Sequence, residues 1–120
     1  MAAGRVDLSA AERAIRYEFD PIANEWKSTM PCVSIDPKPF AVGSMRRAYR
    51  LHDMSRSGKE AEFVAKLCVD QKENPSVYWN DVQTQAIARL WAQKFNNHPR
   101  APPKKIDFLV AFVLELIDRP

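Results

Sequence analysis

The stretch Phe63-Val-Ala-Lys66-Leu-Cys-Val69 is apolar at every position but one. A short run that is apolar on both faces predicts a central strand covered from two sides. A lysine in its middle is then an anomaly, because an unpaired buried ammonium costs several kcal/mol even after relaxation. Lys66 must either reach solvent past a strand edge or meet an anion.

Upstream, Phe40-Ala-Val-Gly43 leads into a second strand candidate, Met45 to Leu51, and the polar loop His52 to Glu60 joins it to the lysine strand. Further upstream Ile15, Tyr17 and Phe19 alternate with Arg16, Glu18 and Asp20, the period of a half-buried strand with the charged residues outward. Pro21-Ile-Ala-Asn24 predicts a turn, and Trp26 to Ile35 a returning strand interrupted by Pro31. Residues 1–13 are expected to be a flexible lead-in, and 14–120 a single domain.

Downstream lies the best-marked element, a helix. Asn74 suits the N-cap and Pro75 the first helical position. Val82, Ala86 and Leu90 recur at i+4, and Ile87, Trp91 and Phe95 form an adjacent stripe. Trp79, Trp91 and Phe95 are assigned to the core. Asn96-Asn-His-Pro99 ends the helix, and Ile106 to Ile117 reads as one long apolar strand. This order predicts an α+β fold, a curved, mostly antiparallel sheet with one long helix packed on it.

Composition agrees with one globular domain: 120 residues, 46% hydrophobic and 28% charged. No apolar run approaches the ~20 residues of a membrane helix, and the first residues lack a secretory signal, so the expectation is a cytoplasmic protein with no membrane partner. Cys32 and Cys68 sit among apolar neighbours and are read as reduced, buried thiols. The net charge of +3 fits an anionic partner, but 18 basic residues are interspersed with 15 acidic ones, so no nucleic-acid partner is expected. His52, His98 and the two cysteines match no zinc spacing, so no metal site is assigned.

A few polar residues remain as candidates for chemistry, each with a plainer alternative. Gly43, with Arg46 three residues on, suits close approach of backbone amides to a phosphate and a guanidinium fork on its oxygens. The alternative is a hairpin glycine beside a surface arginine. Glu115, near the end of an apolar strand, suits a hinge whose backbone pairs with a purine edge, or is simply a charge at a strand terminus. Asp81 and Gln85, one helical turn apart, either orient Lys66 or form a solvated polar face.

Five segments, in order across residues 15–120, resemble the alpha-kinase family of atypical serine/threonine protein kinases. Pro39-Phe-Ala-Val-Gly-Ser-Met-Arg-Arg-Ala-Tyr49 resembles its glycine segment, Phe63-Val-Ala-Lys66 its lysine strand, and Tyr78-Trp-Asn-Asp-Val-Gln-Thr-Gln85 its helix. Phe95-Asn96 with Pro102-Pro-Lys104 matches the helix exit, and Val113-Leu-Glu-Leu-Ile-Asp-Arg-Pro120 the hinge. The opening segment through Glu25-Trp26 is most similar to elongation-factor and myosin heavy-chain kinases.

The resemblance implies a kinase N-lobe that binds ATP. Lys66 would contact the α and β phosphates, and Arg46 with the backbone around Gly43 the outer ones. The Glu115 carbonyl and Ile117 amide would pair with adenine, Val64 would roof the base, and Asp81 and Gln85 would support Lys66. In the family the catalytic aspartate, the magnesium ligands, the structural zinc and the protein-substrate surface belong to the C-lobe. No catalytic residue is therefore assigned here, and these residues alone are expected to be inactive. The alternative implied is a non-catalytic protein-interaction module on the same lobe fold.

Overall fold

The computed structural model describes residues 11–69 and 74–118. Most of the expected lead-in, and Arg119 and Pro120 of the hinge motif, lie outside the described residues. The fold is α+β: a mostly antiparallel sheet and one long helix. The sheet order is β2 (Glu25–Thr29), β1 (Glu12–Asp20), β3 (Cys32–Ile35), β5 (Arg46–Asp53), β4 (Ala41–Val42). In addition β6 (Glu62–Cys68) pairs β5, and β7 (Val113–Leu116) pairs β1. The helix is α1 (Ser76–Asn96). Two compact units divide the chain, Met1–Ile15 with Met30–Glu73 and Glu115–Pro120, and Arg16–Thr29 with Asn74–Leu114.

In the first unit Glu12 and Arg13 already pair with Val33 and Cys32, so β1 starts before the expected domain boundary. The single strand expected over Trp26 to Ile35 is broken at Met30-Pro31, where proline has no amide to give a ladder. Its carbonyl is used instead, accepting the Ala14 amide at 3.0 Å. β3, β5 and β6 lie side by side, with Val33 opposite Asp53, Ile35 opposite Leu51 and Leu51 opposite Phe63. Directly opposed residues share a face, and on this one Val33, Leu51 and Asp53 are buried. The buried Asp53 carboxylate is satisfied locally, accepting from the Ser55 amide at 2.9 Å and the Ser55 hydroxyl at 2.6 Å.

The lysine strand is not central. β6 pairs β5 along its length, and among the described residues no second strand borders it. It is an edge, and Val64, Lys66 and Leu67 are exposed. The cysteines divide: Cys68 is buried as expected, whereas Cys32 is exposed, and both are free thiols.

In the second unit β1 and β2 form a hairpin around the predicted turn. Asp20 Oδ1 accepts the Ile22 amide at 3.0 Å and the Ala23 amide at 3.1 Å, and Asn24 takes a left-handed φ of 55°, a conformation asparagine tolerates. Trp79 of α1 lies edge-on to Tyr17 and Trp26, with ring centroids 4.8 and 5.0 Å away, and Phe19 packs on Trp26 at 5.2 Å. This aromatic cluster fastens the helix to the hairpin. At the helix start the Asn74 side chain accepts the Ser76 amide at 3.0 Å, and Pro75 occupies the cap position itself, one residue earlier than expected.

Three expectations fail in this unit. Arg16, assigned outward, is only 7% exposed. Its guanidinium lies 4.0 Å over the Phe112 ring and pairs with Glu18, so an aromatic face and a carboxylate offset its desolvation. The stripe of Ile87, Trp91 and Phe95 is exposed rather than core, leaving Val82 and Ala92 as the buried helix residues. The long strand expected from Ile106 shrinks to Val113–Leu116. Residues 106–109 are held by helix side chains instead: Asn96 Oδ1 accepts the Ile106 amide at 3.0 Å, Asn96 Nδ2 donates to the Ile106 carbonyl, and Gln85 Nε2 donates to the Leu109 carbonyl.

Candidate functional site

The β5–β6 hairpin register assembles the candidate site. Arg46 stands opposite Cys68, Ala48 opposite Lys66, and Arg50 opposite Val64. Opposed residues, and residues two apart along each strand, project from one face. Arg46, Arg50, Val64 and Lys66 are therefore neighbours on a single face. On β4, Ala41 stands opposite Ala48, so the row running from Lys66 across the sheet carries two methyl groups. Small side chains therefore occupy the row beside Lys66, with Arg46 and Arg50 on either side of Ala48.

The cations are held differently. Arg46 is half-buried and donates from Nη1 to the Cys68 sulfur at 3.0 Å, which fixes its guanidinium near the end of β6. Arg50 lies over the Phe40 ring at 5.2 Å. Lys66 is exposed and makes no hydrogen bond or ion pair among the described residues. Its position removes the need for a buried counter-ion, and the premise that it is buried is corrected. Diagonal neighbours such as Arg46 and Lys66 sit about 7–8 Å apart in such a ladder. Two like charges on neighbouring positions of one face repel, and an anion between them relieves the repulsion.

Gly43 lies at the foot of this face. Its amide donates to the Arg46 carbonyl at 2.8 Å, closing the β4–β5 hairpin, and Met45 accepts the Val69 amide at 2.9 Å, tying the turn to the end of β6. A Cβ added at Gly43 would meet the Arg46 carbonyl at 3.7 Å, an ordinary contact. Folding alone therefore does not require glycine here.

Glu115 is exposed and Ile117 half-buried, on β7 and just beyond it. β7 pairs β1, so β1, β3 and β5 separate it from β6 in the sheet order. Immediately after Ile117, Asp118 is gripped by Arg13, whose amide, Nε and Nη2 donate to its carboxylate at 3.2, 3.3 and 2.7 Å. The guanidinium and that amide hold the Asp118 carboxyl below the usual carboxylate range, the side-chain bond being the larger cause. Arg13 lies outside every motif and 105 residues away in sequence, so its role was not legible. Arg50 is not among the sequence-predicted site residues, although its four-residue spacing from Arg46 on a strand puts both on one face.

Asp81 and Gln85 belong to the other unit. Within that unit Gln85 Nε2 donates to the Leu109 carbonyl. A groove of about 220 Å³ in that unit, bordered by Glu18, Arg89, Leu90 and Leu109, includes none of the predicted site residues. Among the described residues no three His, Cys, Asp or Glu side chains converge on a possible metal position, and no helix is long and apolar enough to cross a membrane.

Residues 41–120, more than half of the chain, match the sequence profile of the alpha-kinase family. This chain belongs to the alpha-kinase family. Alpha-protein kinase 1 of Dictyostelium discoideum is 44% identical over 112 residues, 93% of this chain and 8% of that protein. Eukaryotic elongation factor 2 kinase of Caenorhabditis elegans is 37% identical over 111 residues, 89% of this chain and 14% of that protein. The alpha-kinase domain of myosin-II heavy chain kinase A superposes with a TM-score of 0.79 at 30% identity, over 96% of this chain and 57% of that one. Its inactive form in complex with ATP also gives 0.79, at 31% identity over 94% and 57%. The chain thus spans a small part of these curated alpha-kinases and a little over half of the solved alpha-kinase domain.

Proposed function

We propose that this chain is the ATP-gripping lobe of an alpha-type serine/threonine protein kinase, which passes the γ-phosphate of ATP to a protein substrate when joined to a C-lobe. The observation that carries the reading is the common face of Lys66 and Arg46 beside the Gly43 turn. In this reading the Lys66 ammonium, exposed and without a partner among the described residues, takes the α and β phosphates. Arg46, preset by its contact with Cys68, takes the outer phosphates together with amides around Gly43. Val64, one pleat along β6 from Lys66, covers the base, and the Glu115 carbonyl and Ile117 amide pair with its edge. The described residues offer no ligand cluster suited to magnesium or zinc, so no step is assigned to a metal in this lobe.

Magnitudes favour weak binding. Two neutral hydrogen bonds of about 0.5–1.5 kcal/mol and two charged ones of about 1.5–3 kcal/mol sum to roughly 4–9 kcal/mol. Association costs about 4–15 kcal/mol, so the surplus is at most about 5 kcal/mol and the expected Kd for ATP is no tighter than roughly 0.2 mM. Losing one charged contact lowers affinity by about one to two orders of magnitude.

Calorimetry of the chain with ATP at millimolar concentration tests this. Weak binding that Lys66→Ala abolishes, with no phosphate transfer to a peptide by the chain alone, agrees with the proposal. Binding unchanged in Lys66→Ala refutes it. A second reading, a non-catalytic interaction module, draws support from the exposed Ile87, Trp91 and Phe95 on α1. Nucleotide-independent self-association lost in Trp91→Ser would favour it.

A further inference from the structure

The Arg13–Asp118 pair is mostly open to solvent, with side-chain exposures of 68% and 40%. Exposed ion pairs contribute little to stability, so folding energy is a poor account of three bonds converging on one carboxylate. Their geometry is more informative. Consecutive amides of a strand point to opposite sides. The Ala14 amide points to β3, where Pro31 accepts it, so the Arg13 amide points the other way. β7 pairs β1 and ends at Leu116, and Asp118 stands two residues beyond that end. The Asp118 side chain takes the donor, and the guanidinium of the same Arg13 closes on both carboxylate oxygens. Arg13 is itself fixed in the ladder opposite Cys32. The chain leaving β7 is thereby anchored one peptide unit beyond Ile117.

We propose that Arg13 and Asp118 are positioning residues that set the direction of the Ile117 amide and Glu115 carbonyl for a purine edge. This rests on the nucleotide reading above and deepens it. A backbone donor and acceptor discriminate a base only if their directions are fixed before it arrives, because ordering them afterwards subtracts from affinity. The clamp supplies that order for the base, while the phosphates are held by Lys66 and Arg46 on β6 and β5.

The base and phosphate halves of the ligand separate the two ideas. Titrations of the isotope-labelled chain, followed through backbone amides by NMR, use adenosine in one series and tripolyphosphate in another. Asp118→Asn is expected to lower adenosine affinity roughly three- to tenfold while leaving tripolyphosphate affinity within about twofold, and Lys66→Ala to do the reverse. Should Asp118→Asn not fold, Arg13→Gln gives the same comparison with the carboxylate kept. Parallel weakening of both ligands would mean a merely structural role and would overturn the clamp, as would adenosine affinity unchanged in both variants. If the unmodified chain binds tripolyphosphate but not adenosine, the hinge assignment fails and the clamp with it. If it binds neither, the nucleotide reading itself fails.

Discussion

Gly43→Ala separates what the fold needs from what the ligand needs. The added methyl would lie 3.7 Å from the Arg46 carbonyl, and the backbone there is not in the left-handed region. Where alanine fits the native backbone, replacing glycine stabilises by about 0.4–1 kcal/mol, because the unfolded chain loses freedom. With an unfolding entropy of about 2.1 cal/mol/K per residue, a chain of this length should melt about 2–4 °C higher. The same methyl projects from a turn whose amides are assigned to phosphate oxygens. Losing one such charged hydrogen bond, worth about 1.5–3 kcal/mol, lowers tripolyphosphate affinity at least tenfold. Scanning calorimetry and a binding titration on one preparation give both signs. Gly58 is the control: its φ is +64° with open space where a Cβ would stand, so Gly58→Ala should destabilise by about 1–2 kcal/mol and leave binding intact. A lower melting temperature in Gly43→Ala, or unchanged phosphate affinity, refutes the reasoning.

Other outcomes follow from the same contacts. Trp79→Ala removes an aromatic side chain that meets both Tyr17 and Trp26; since Trp79 is only half-buried, the cost should lie near the lower end of about 3–5 kcal/mol, measured by urea unfolding, with Trp91→Ser close to neutral. Asp118 and Asp20 both have folded pKa values below the ordinary carboxylate range, Asp118 through Arg13, and Asp20 through the Ala23 amide, then Lys27 and the Ile22 amide. A depressed folded pKa means that each contribution is complete above the unfolded value near ~3.9 and is lost as pH falls through the folded one. Carboxyl-detected NMR titration should show both ionising below pH ~3.9, and Arg13→Gln should move Asp118 upward while leaving Asp20 unchanged.

The helix, the Pro21–Asn24 turn and the break at Pro31 were legible because each depends on a few neighbouring residues. Asn74 and Pro75 mark a helix start by local geometry, and proline cannot serve a ladder wherever it stands. Burial was less legible, since it depends on what lies across the fold. The lysine strand is apolar on both faces, yet β6 borders only β5, and its composition says nothing of how many neighbours a strand has. Arg16 follows an alternating pattern but is buried by Phe112, 96 positions along the chain. The stretch 106–112 carries a strand's composition, but Asn96 and Gln85 satisfy part of its backbone, so no strand forms there. At the site, Gly43, Arg46, Val64 and Lys66 were legible as motif residues, and β5–β6 pairing supplied what the motif lacks, a common face for the last three.

The central claim is that the face carrying Lys66 and Arg46 receives phosphates. The amide resonances of the labelled chain, recorded as ATP is added, test it most directly. Perturbations should concentrate on residues 43–48 and 64–68, and Lys66→Ala should erase them. Perturbations confined to α1 or to the groove beside Arg89, and unaffected by Lys66→Ala, would contradict it.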